Sequence, residues 1–107
     1  MGRNFLGEFE QIVLLAMARA GDEAYAVSIY DEILRTIGRS VSIPAVYVTL
    51  SRLEKKGFVR SWMGEPSPTR GGRAKRYFKL AGKGREALEQ SRVVLDQLWD
   101  GLKLETK

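Results

Sequence analysis

The sequence predicts a mainly α-helical domain with one small β-hairpin and a long C-terminal helix. Three observations lead to this fold class. Apolar residues recur at helical spacing in four segments, two short segments near the middle alternate as strands do, and a loop rich in Gly, Pro and basic residues separates those two segments. At 107 residues the chain has the length of one domain. A domain this small gains stability when a partner buries more of its apolar surface.

The first helix is predicted over FLGEFEQIVLLAMARAG, with Gly21 ending it. Glu8 and Glu10 are assigned to its solvent face. Its apolar face consists of Phe5, Phe9, Ile12, Val13 and Ala16. The centre of the helix, IVLLAMA, is apolar on every side, and helices of this kind are buried on more than one face. We therefore expect the first helix to meet a surface outside its own domain.

The second helix is predicted over AYAVSIYDEILRTIG, after a turn at Asp22-Glu23, and Gly38 closes it. Its apolar stripe consists of Ile29, Tyr30, Ile33, Leu34 and Ile37. Asp31, Glu32 and Arg35 lie off this stripe. Residues 40–42, which follow, are long enough only for a minimal strand.

The third helix is predicted from the N-cap Ser42 to Gly57, with Pro44 in its first turn, where a missing N–H costs little. At about 100° per residue, three aliphatic residues fall on one face. This buried face consists of Val46, Leu50 and Leu53. The opposite face is small and basic, and it consists of Val48, Arg52 and Lys55 with Ala45 and Ser51 at its edges.

Two strands follow, over residues 58–65 and 75–80, and the loop PSPTRGGRA joins them. Most hairpin loops have about 2–5 residues, and longer loops often carry function. Tyr77 and Phe78 point to opposite faces of the second strand, so one of them is expected to be exposed or at an interface. Trp62, on the first strand, is expected to pack rather than to stack on a base.

The last helix is predicted over residues 82–107. Leu88, Leu95 and Leu102 are seven residues apart, Ser91 and Leu98 take the alternate positions of this seam, and Trp99 lies beside it. Little more than two heptads is too short for an independent coiled coil. The seam therefore indicates a helix that packs on a partner.

Positive charge is concentrated in the middle of the chain. The net charge is +5, yet residues 39–80 hold ten cationic and two acidic side chains, whereas residues 1–38 hold three and six, and residues 81–107 hold five of each. A loop kept soluble by its charge would explain part of this pattern. Segregation on this scale is typical of a surface that binds a polyanion.

Three helices followed by a β-hairpin form the winged-helix arrangement, in which the third helix enters the major groove of DNA and the hairpin loop follows the backbone. We expect residues 1–80 to form this domain and residues 81–107 to form a dimerisation helix. The residues predicted to contact DNA are Ser42, Ala45, Tyr47, Val48, Ser51, Arg52, Lys55, Arg70, Arg73, Lys75 and Arg76. Tyr47 either caps the core or donates to a phosphate. Arg52 could pair with an acid, but Glu54 lies on another face, which favours DNA.

Pro44, Ala45 and Val48 lack hydrogen-bonding side chains, so the start of the third helix can recognise a thymine methyl group but cannot make a bidentate contact to a purine. Arg52 can make one. These residues predict an A·T-rich, pseudo-palindromic operator with half-sites about one helical turn apart.

The residue types present exclude several other functions. The chain has no Cys and no His, which removes thiolate or imidazole metal sites and Cys-His or Ser-His catalysis. No phosphate-binding glycine motif is present. We expect no enzyme activity, cofactor or metal. No apolar segment has the length of a membrane span and the N-terminus does not resemble a signal peptide, so a cytoplasmic location is expected. The alternative function is a winged-helix module that binds protein or RNA.

Two segments, VSIPAVYVTLSRLEKKGFVRS and GGRAKRYFKLAGKGREAL, resemble the PadR-like transcriptional regulators. The residues that match the recognition segment are Ser42, Tyr47, Leu50, Arg52, Leu53, Glu54, Gly57 and Val59. Those that match the wing are Gly71, Gly72, Arg73, Lys75, Arg76, Tyr77, Phe78 and Leu80. This resemblance implies a winged helix that binds an operator, usually as a repressor. It also implies a dimer in which the last helix packs on the partner's first helix.

The residues predicted at this dimer interface are Phe9, Val13, Leu88, Leu95, Leu98, Trp99 and Leu102. Trp99 is assigned to the dimer core, although a Trp at a symmetric interface can also line a pocket for a small aromatic effector. The chain departs from the family pattern at Tyr25-Ala26, where Tyr-Gly is usual. It also departs at Ala81, where Thr or Ser is common, and Gly82 and Gly84 are expected to loosen the start of the last helix.

Overall fold

The computed structural model of the protein describes residues 6–66 and 73–105. Its elements in chain order are α1 (Glu8–Ala20), α2 (Ala26–Ile37), α3 (Ile43–Lys55), β1 (Val59–Met63), β2 (Arg76–Leu80) and α4 (Gly82–Trp99). A short 3₁₀ turn, Gly21–Glu23, joins α1 to α2. The predicted fold class, mainly helical with one two-stranded hairpin, is confirmed. Residues 40–42 form a connection and not a strand.

The ends of the first two helices follow from local chemistry. Gly21 ends α1 with a φ of 69°, and Gly38 ends α2 with a φ of 64°. A positive φ is strained for residues with a Cβ, and this is why glycine so often follows the last turn of a helix. The sequence predicts both ends correctly.

The core lies where α1, α2 and α3 meet the inner face of the hairpin. Its fully buried members include Leu14, Met17, Ile29, Leu50 and Phe58. Strands β1 and β2 pair antiparallel, with Ser61 opposite Phe78. Phe78 is 2 % exposed, so of the two neighbouring aromatics on β2 it is Phe78 that enters the core, while Tyr77 stays half-buried. The Phe78 N–H donates to the Ala24 carbonyl at 2.8 Å, which ties the hairpin to the start of α2.

Helix α2 departs from its predicted stripe in its last turn. Ile29 and Ile33 are buried, but Leu34 and Ile37 are 45 % and 53 % exposed. The core ends before the last turn of α2, so apolar periodicity continues where burial does not. Glu32, which lies off the stripe, is nevertheless 7 % exposed, and it pairs with Arg19 of α1 and with Arg35.

Helix α4 is shorter than predicted and only its first half packs on the rest of the chain. It ends at Trp99, and Gly101 follows with a φ of 72°, so Leu102 lies beyond the helix. Gly84 and Ala87 are buried, whereas every side chain from Arg92 to Glu105 is exposed. None of the described helices has the length and apolar character that crossing a membrane requires.

Candidate nucleic-acid interface

Helix α3 keeps one face in solvent because its other face is anchored in the core. Val46, Leu50 and Leu53 are fully buried, as the helical spacing predicts, and Thr49 joins them with 4 % exposed. The Ser42 hydroxyl accepts a hydrogen bond of 3.1 Å from the Ala45 N–H and caps the helix. Ser42 and Ala45, both predicted to contact DNA, thus form the start of the helix that presents the site.

The outer face of α3 combines an apolar and two cationic side chains. Val48 is 55 % exposed, and Arg52 and Lys55 are exposed along the same side of the helix. Ser51 is half-buried at the edge of this face. The salt bridges found among the described residues include neither Arg52 nor Lys55. Both cations can therefore meet an external anion without first breaking an ion pair.

Tyr47 lies between the core and the solvent. Its ring meets the ring of Phe78 edge-on, with centroids 6.3 Å apart, and 43 % of the residue stays exposed. Edge-to-face contact between aromatic rings is favourable. The structure supports the packing role of Tyr47 and leaves part of its surface open to a ligand.

The charge of Arg52 acts on Glu10 of α1. Burial raises the pKa of the Glu10 carboxyl. Hydrogen bonds from Lys56 and the Gly7 N–H, together with the charges of Lys56 and Arg52, outweigh this and hold that pKa below its ordinary value. Both hydrogen bonds measure 2.9 Å. Glu10 was assigned to solvent from the sequence, yet it is 8 % exposed.

The described cations of the hairpin lie at its loop end, where the connection from β1 enters β2. Arg73 and Lys75 are exposed just before β2, and Arg76 is exposed at its first position. Arg70, predicted to contact phosphate, lies outside the described residues, as do Gly71 and Gly72. The described cations project from the same hairpin whose inner face packs on α3, so they share a rigid support with the outer face of α3.

Lys75, just before β2, is held by aromatic contacts. Its ammonium nitrogen lies 4.5 Å from the centroid of the Tyr25 ring and 3.5 Å from the Tyr25 hydroxyl. Tyr25 packs edge-on against Tyr77, and Tyr77 in turn stacks on Trp62 with centroids 6.1 Å apart. A cation over an aromatic face is attracted by the ring. Trp62 packs within the hairpin, in line with the sequence interpretation.

Arg76 is linked to α3 through two hydrogen bonds. Its Nη1 donates to the Ser61 hydroxyl at 3.0 Å, and that hydroxyl donates to Oε2 of Glu54 at 2.6 Å. Arg76 therefore differs from Arg73 and Lys75, because its hydrogen bond to Ser61 continues to an acid, Glu54, on α3. The spacing of Glu54 on α3 does not reveal this link, which depends on the angle between the helix and the hairpin.

The residues predicted at a dimer interface fall into two groups. Val13 is fully buried within its own chain, so it is not available to a partner, and here the prediction is wrong. A helix that is apolar on every side has to bury one face in its own core, and Val13 lies on that face. Phe9 is half-buried and carries the Arg39 guanidinium 5.8 Å from its ring centroid. Leu88 is half-buried against the core.

The second group is open. Leu95, Leu98 and Trp99 on α4 are 51 %, 69 % and 56 % exposed, and Leu102, just beyond α4, is 53 % exposed. Leu15 on α1 is 52 % exposed as well. Sequence reasoning did not single out Leu15, although its place in the apolar segment IVLLAMA was a signal that could have done so.

Three contacts of the site carry no signal that a single sequence could reveal. Lys56 meets Glu10 across 46 positions of the chain, Tyr25 meets Lys75 across 50, and Arg76 meets Ser61 across 15. Each pair depends on how elements pack. Among the described residues, no group of acids is placed to hold a metal ion.

A family model described as the transcriptional regulator PadR-like family matches residues 13–90 of this chain. No curated protein matches. The matched range includes α2, α3, both strands and the start of α4, and thus the whole outer face of α3 and the described cations of the hairpin.

Solved structures share the fold. A PadR-like transcription factor from Bacteroides fragilis is 25 % identical with a TM-score of 0.72, over 86 % of this chain and 84 % of that one. A transcriptional regulator from Clostridium thermocellum is 22 % identical with a TM-score of 0.68, over 85 % of both chains. F93 from STIV, a winged-helix DNA-binding protein, is 17 % identical with a TM-score of 0.68, over 94 % of this chain and 100 % of that one.

Proposed function

The chain belongs to the PadR-like family of transcriptional regulators, and on that premise we propose that it is a homodimeric repressor that binds a pseudo-palindromic DNA operator. The observation that carries the proposal is the pairing of two surfaces on one rigid body. The outer face of α3 holds Arg52 and Lys55 without acid partners among the described residues, and the hairpin packed beside it ends in exposed cations.

The charge of this body suits a duplex. Residues 39–80 carry ten of the 18 basic side chains and two of the 13 acids. Each phosphate that a cation neutralises releases a counterion, and this release supplies most of the affinity of non-specific DNA binding. We propose that Arg70, Arg73 and Lys75 contact phosphates. Such contacts position the protein on the duplex but do not read the DNA sequence. Ser42, Tyr47, Ser51 and Lys55 add contacts around α3.

Base reading is assigned to Val48 and Arg52. The 55 % exposed Val48 offers an apolar surface that fits a thymine methyl group in the major groove. Arg52, one turn further along, can make a bidentate contact to a guanine or bind a phosphate. With a single side chain of bidentate geometry on this face, we propose an A·T-rich operator whose discrimination depends partly on DNA shape.

A second copy of this chain is the proposed cover for the open half of α4. Leu95, Leu98 and Trp99 project from the second half of α4, whose side chains are exposed, and Leu15 of α1 is exposed too. Packing α4 on the partner's α1 would bury these residues and place two copies of α3 on one side of the dimer. A small aromatic effector beside Trp99 and a cytoplasmic location remain predictions.

A gel-shift titration with duplex DNA at several salt concentrations, with RNA as competitor, tests the proposal. The slope of log K against log salt should be steep, and replacing Arg70 and Arg73 by Gln should flatten it by about two units, since about 0.9 counterion is released per phosphate contact. The matched control replaces Arg85 and Lys103 by Gln, which removes the same charge from the α4 region.

Two results would count against the proposal. If RNA competes as well as duplex DNA, the chain is an RNA-binding module. If neither nucleic acid binds, the winged helix serves protein interaction. An unchanged slope in the Arg70 and Arg73 variant would show that the hairpin loop does not touch DNA.

A further inference from the structure

The side-chain hydrogen bonds among the described residues link α3 to the hairpin through one chain of groups. Glu54, next to the last residue of α3, accepts from Ser61 on β1, and Ser61 accepts from Arg76 on β2. The three residues come from three different elements. Glu54 lies two positions after Arg52 on α3, and Arg76 is exposed at the first position of β2.

The direction of each hydrogen bond is fixed by chemistry. Arginine has donors and no acceptor, so the Ser61 oxygen must accept from Arg76 and use its only proton toward Glu54. The Ser61–Glu54 distance of 2.6 Å is in the range of a hydroxyl bound to an ionised carboxylate. The contact between Ser61 and Arg76 also follows from strand register. Phe78 pairs with Ser61, and Arg76 is the diagonal neighbour on the same face, within reach of a long side chain.

Arg76 remains able to bind an anion in this arrangement. Its guanidinium has five N–H donors, and the Ser61 contact uses one nitrogen, Nη1. The side chain is exposed at the first residue of β2. A phosphate can therefore meet Arg76 while Ser61 still holds it, so the hydrogen bonds restrict where the cation lies without blocking it.

We propose that Glu54 and Ser61 are positioning residues for DNA binding, which hold the Arg76 guanidinium in one orientation relative to the base-reading face of α3. This inference rests on the proposed function, because it requires that α3 and the hairpin meet the same duplex. When this orientation is fixed, Arg76 can reach a phosphate only if α3 lies at one particular position along the major groove. Glu54 and Ser61 thereby contribute to the preference for the operator over other DNA.

The test variant is Ser61→Ala, which removes both hydrogen bonds and leaves the charge of the protein unchanged. Affinity is measured for the duplex recovered by selection from a random library and for a shuffled duplex of the same composition. We expect affinity for the selected duplex to fall about fivefold, the size of one lost hydrogen bond, and affinity for the shuffled duplex to change less than about twofold. The salt slope should stay unchanged, because no cation is lost.

Ser61→Thr keeps a hydroxyl and should restore the preference for the selected duplex. Thr36→Ala removes an exposed hydroxyl at the end of α2 and is the control. Ser61→Ala is then repeated in an Arg76→Gln background, where it should have no further effect, since Ser61 acts through Arg76. Urea unfolding of each variant shows whether a change in binding follows a change in fold stability.

Several outcomes would overturn the inference. Equal weakening on both duplexes with a flatter salt slope would mean that Ser61 itself contacts phosphate. An undiminished effect in the Arg76→Gln background would mean that Ser61 does not act through Arg76. Unchanged binding by Ser61→Ala would mean that Arg76 needs no positioning. Failure of the wild-type protein to bind any duplex is a separate result, and it would overturn the proposed function together with this inference.

Discussion

The ammonium nitrogen of Lys56, at the C-terminal end of α3, lies 2.9 Å from Oε2 of Glu10 in the first turn of α1. Glu10 is nearly buried, and its other oxygen accepts from the Gly7 N–H. A buried carboxylate whose partners are removed is costly, because its charge is then uncompensated. This pair therefore fixes the end of the proposed recognition helix against the helix proposed to lie in the dimer interface.

Replacing Glu10 by Gln should make stability less dependent on acid. The folded state holds the pKa of Glu10 below its ordinary value of 4.5, so the ionised carboxylate stabilises the fold at neutral pH. That contribution is complete above the ordinary pKa and is lost as pH falls through the lowered one. We expect Glu10→Gln to lose about 1 kcal/mol at neutral pH and to approach the wild type only as the pH falls through the lowered pKa of Glu10. Urea unfolding followed by circular dichroism at a series of pH values measures this.

Glu86→Gln is the control for this prediction, because Glu86 is exposed on α4 and has no salt bridge among the described residues. Its stability should follow the wild type at every pH within about 0.5 kcal/mol. A Glu10→Gln protein with the same acid dependence as the wild type would show that the Lys56 pair contributes nothing to folding.

Local chemistry explains why the elements themselves could be predicted. Glycines end α1 and α2, Ser42 caps α3, and the periodicity of Val46, Leu50 and Leu53 identifies its buried face. These signals act over a few residues, so the sequence contains them. Burial of a whole stripe is different, because it depends on how far the neighbouring elements extend. Ile37 keeps the helical spacing of α2 and is nevertheless 53 % exposed.

The role of Gly84 also depends on a neighbouring element that is distant in the chain. From the sequence, Gly82 and Gly84 only loosen the start of α4. In the structure Gly84 is buried, and a Cβ there would overlap the carbonyl oxygen of Phe58. Gly84 lets α4 approach the backbone before β1 closely. A contact between residues that are far apart in the sequence, such as this one, cannot be predicted from the local sequence pattern.

Gly84→Ala should therefore destabilise the protein by about 1–3 kcal/mol, since the new methyl group forces α4 away from Phe58. Thermal or urea unfolding measures the loss. Gly82→Ala is the matched control. Nothing lies within 4 Å of a Cβ at Gly82, so the helix propensity of Ala should leave stability equal or raise it by up to about 1 kcal/mol. Equal effects of the two substitutions would contradict the close approach of α4.

The candidate site could also be predicted only in part, because local spacing determines which side chains face solvent but not what they contact. The outer face of α3 follows from helical geometry, and Val48, Arg52 and Lys55 are exposed where the spacing places them. The groups that each cation contacts could not be predicted. Arg76 looks equivalent to Lys75 in the sequence, yet it donates to Ser61, while Lys75 lies over the Tyr25 ring. Such pairings depend on the packing of the hairpin against α2 and α3.

Leu95→Glu should convert the proposed dimer into monomers or into insoluble protein. Leu95 is 51 % exposed on the open half of α4, and a charge buried at an interface without a partner is strongly unfavourable. Size-exclusion chromatography with light scattering measures the mass. Gln97→Glu adds the same charge on the opposite side of α4 and should leave the dimer intact. A soluble Leu95→Glu protein that keeps the wild-type dimeric mass would exclude this face from the interface.

The last prediction concerns the bases that α3 reads. Val48 and Arg52 are both exposed on its outer face, and they can recognise different groups. Val48 can contact a thymine methyl group, and Arg52 can bind a guanine or a phosphate. Selection from a random duplex library should give an A·T-rich pseudo-palindrome with half-sites about one helical turn apart. The same selection is repeated with Val48→Ala and with Arg52→Ala.

Val48→Ala should relax the preference at a thymine, with a cost of about 1 kcal/mol or less, because one small apolar contact is lost. Arg52→Ala should relax a guanine by about 1–3 kcal/mol or, if Arg52 binds phosphate, weaken all duplexes alike and reduce the salt slope by about one unit. Val93→Ala, the same change at a 47 % exposed position of α4, should alter neither. A long G·C-rich consensus that neither α3 substitution changes would mean that another surface reads the DNA.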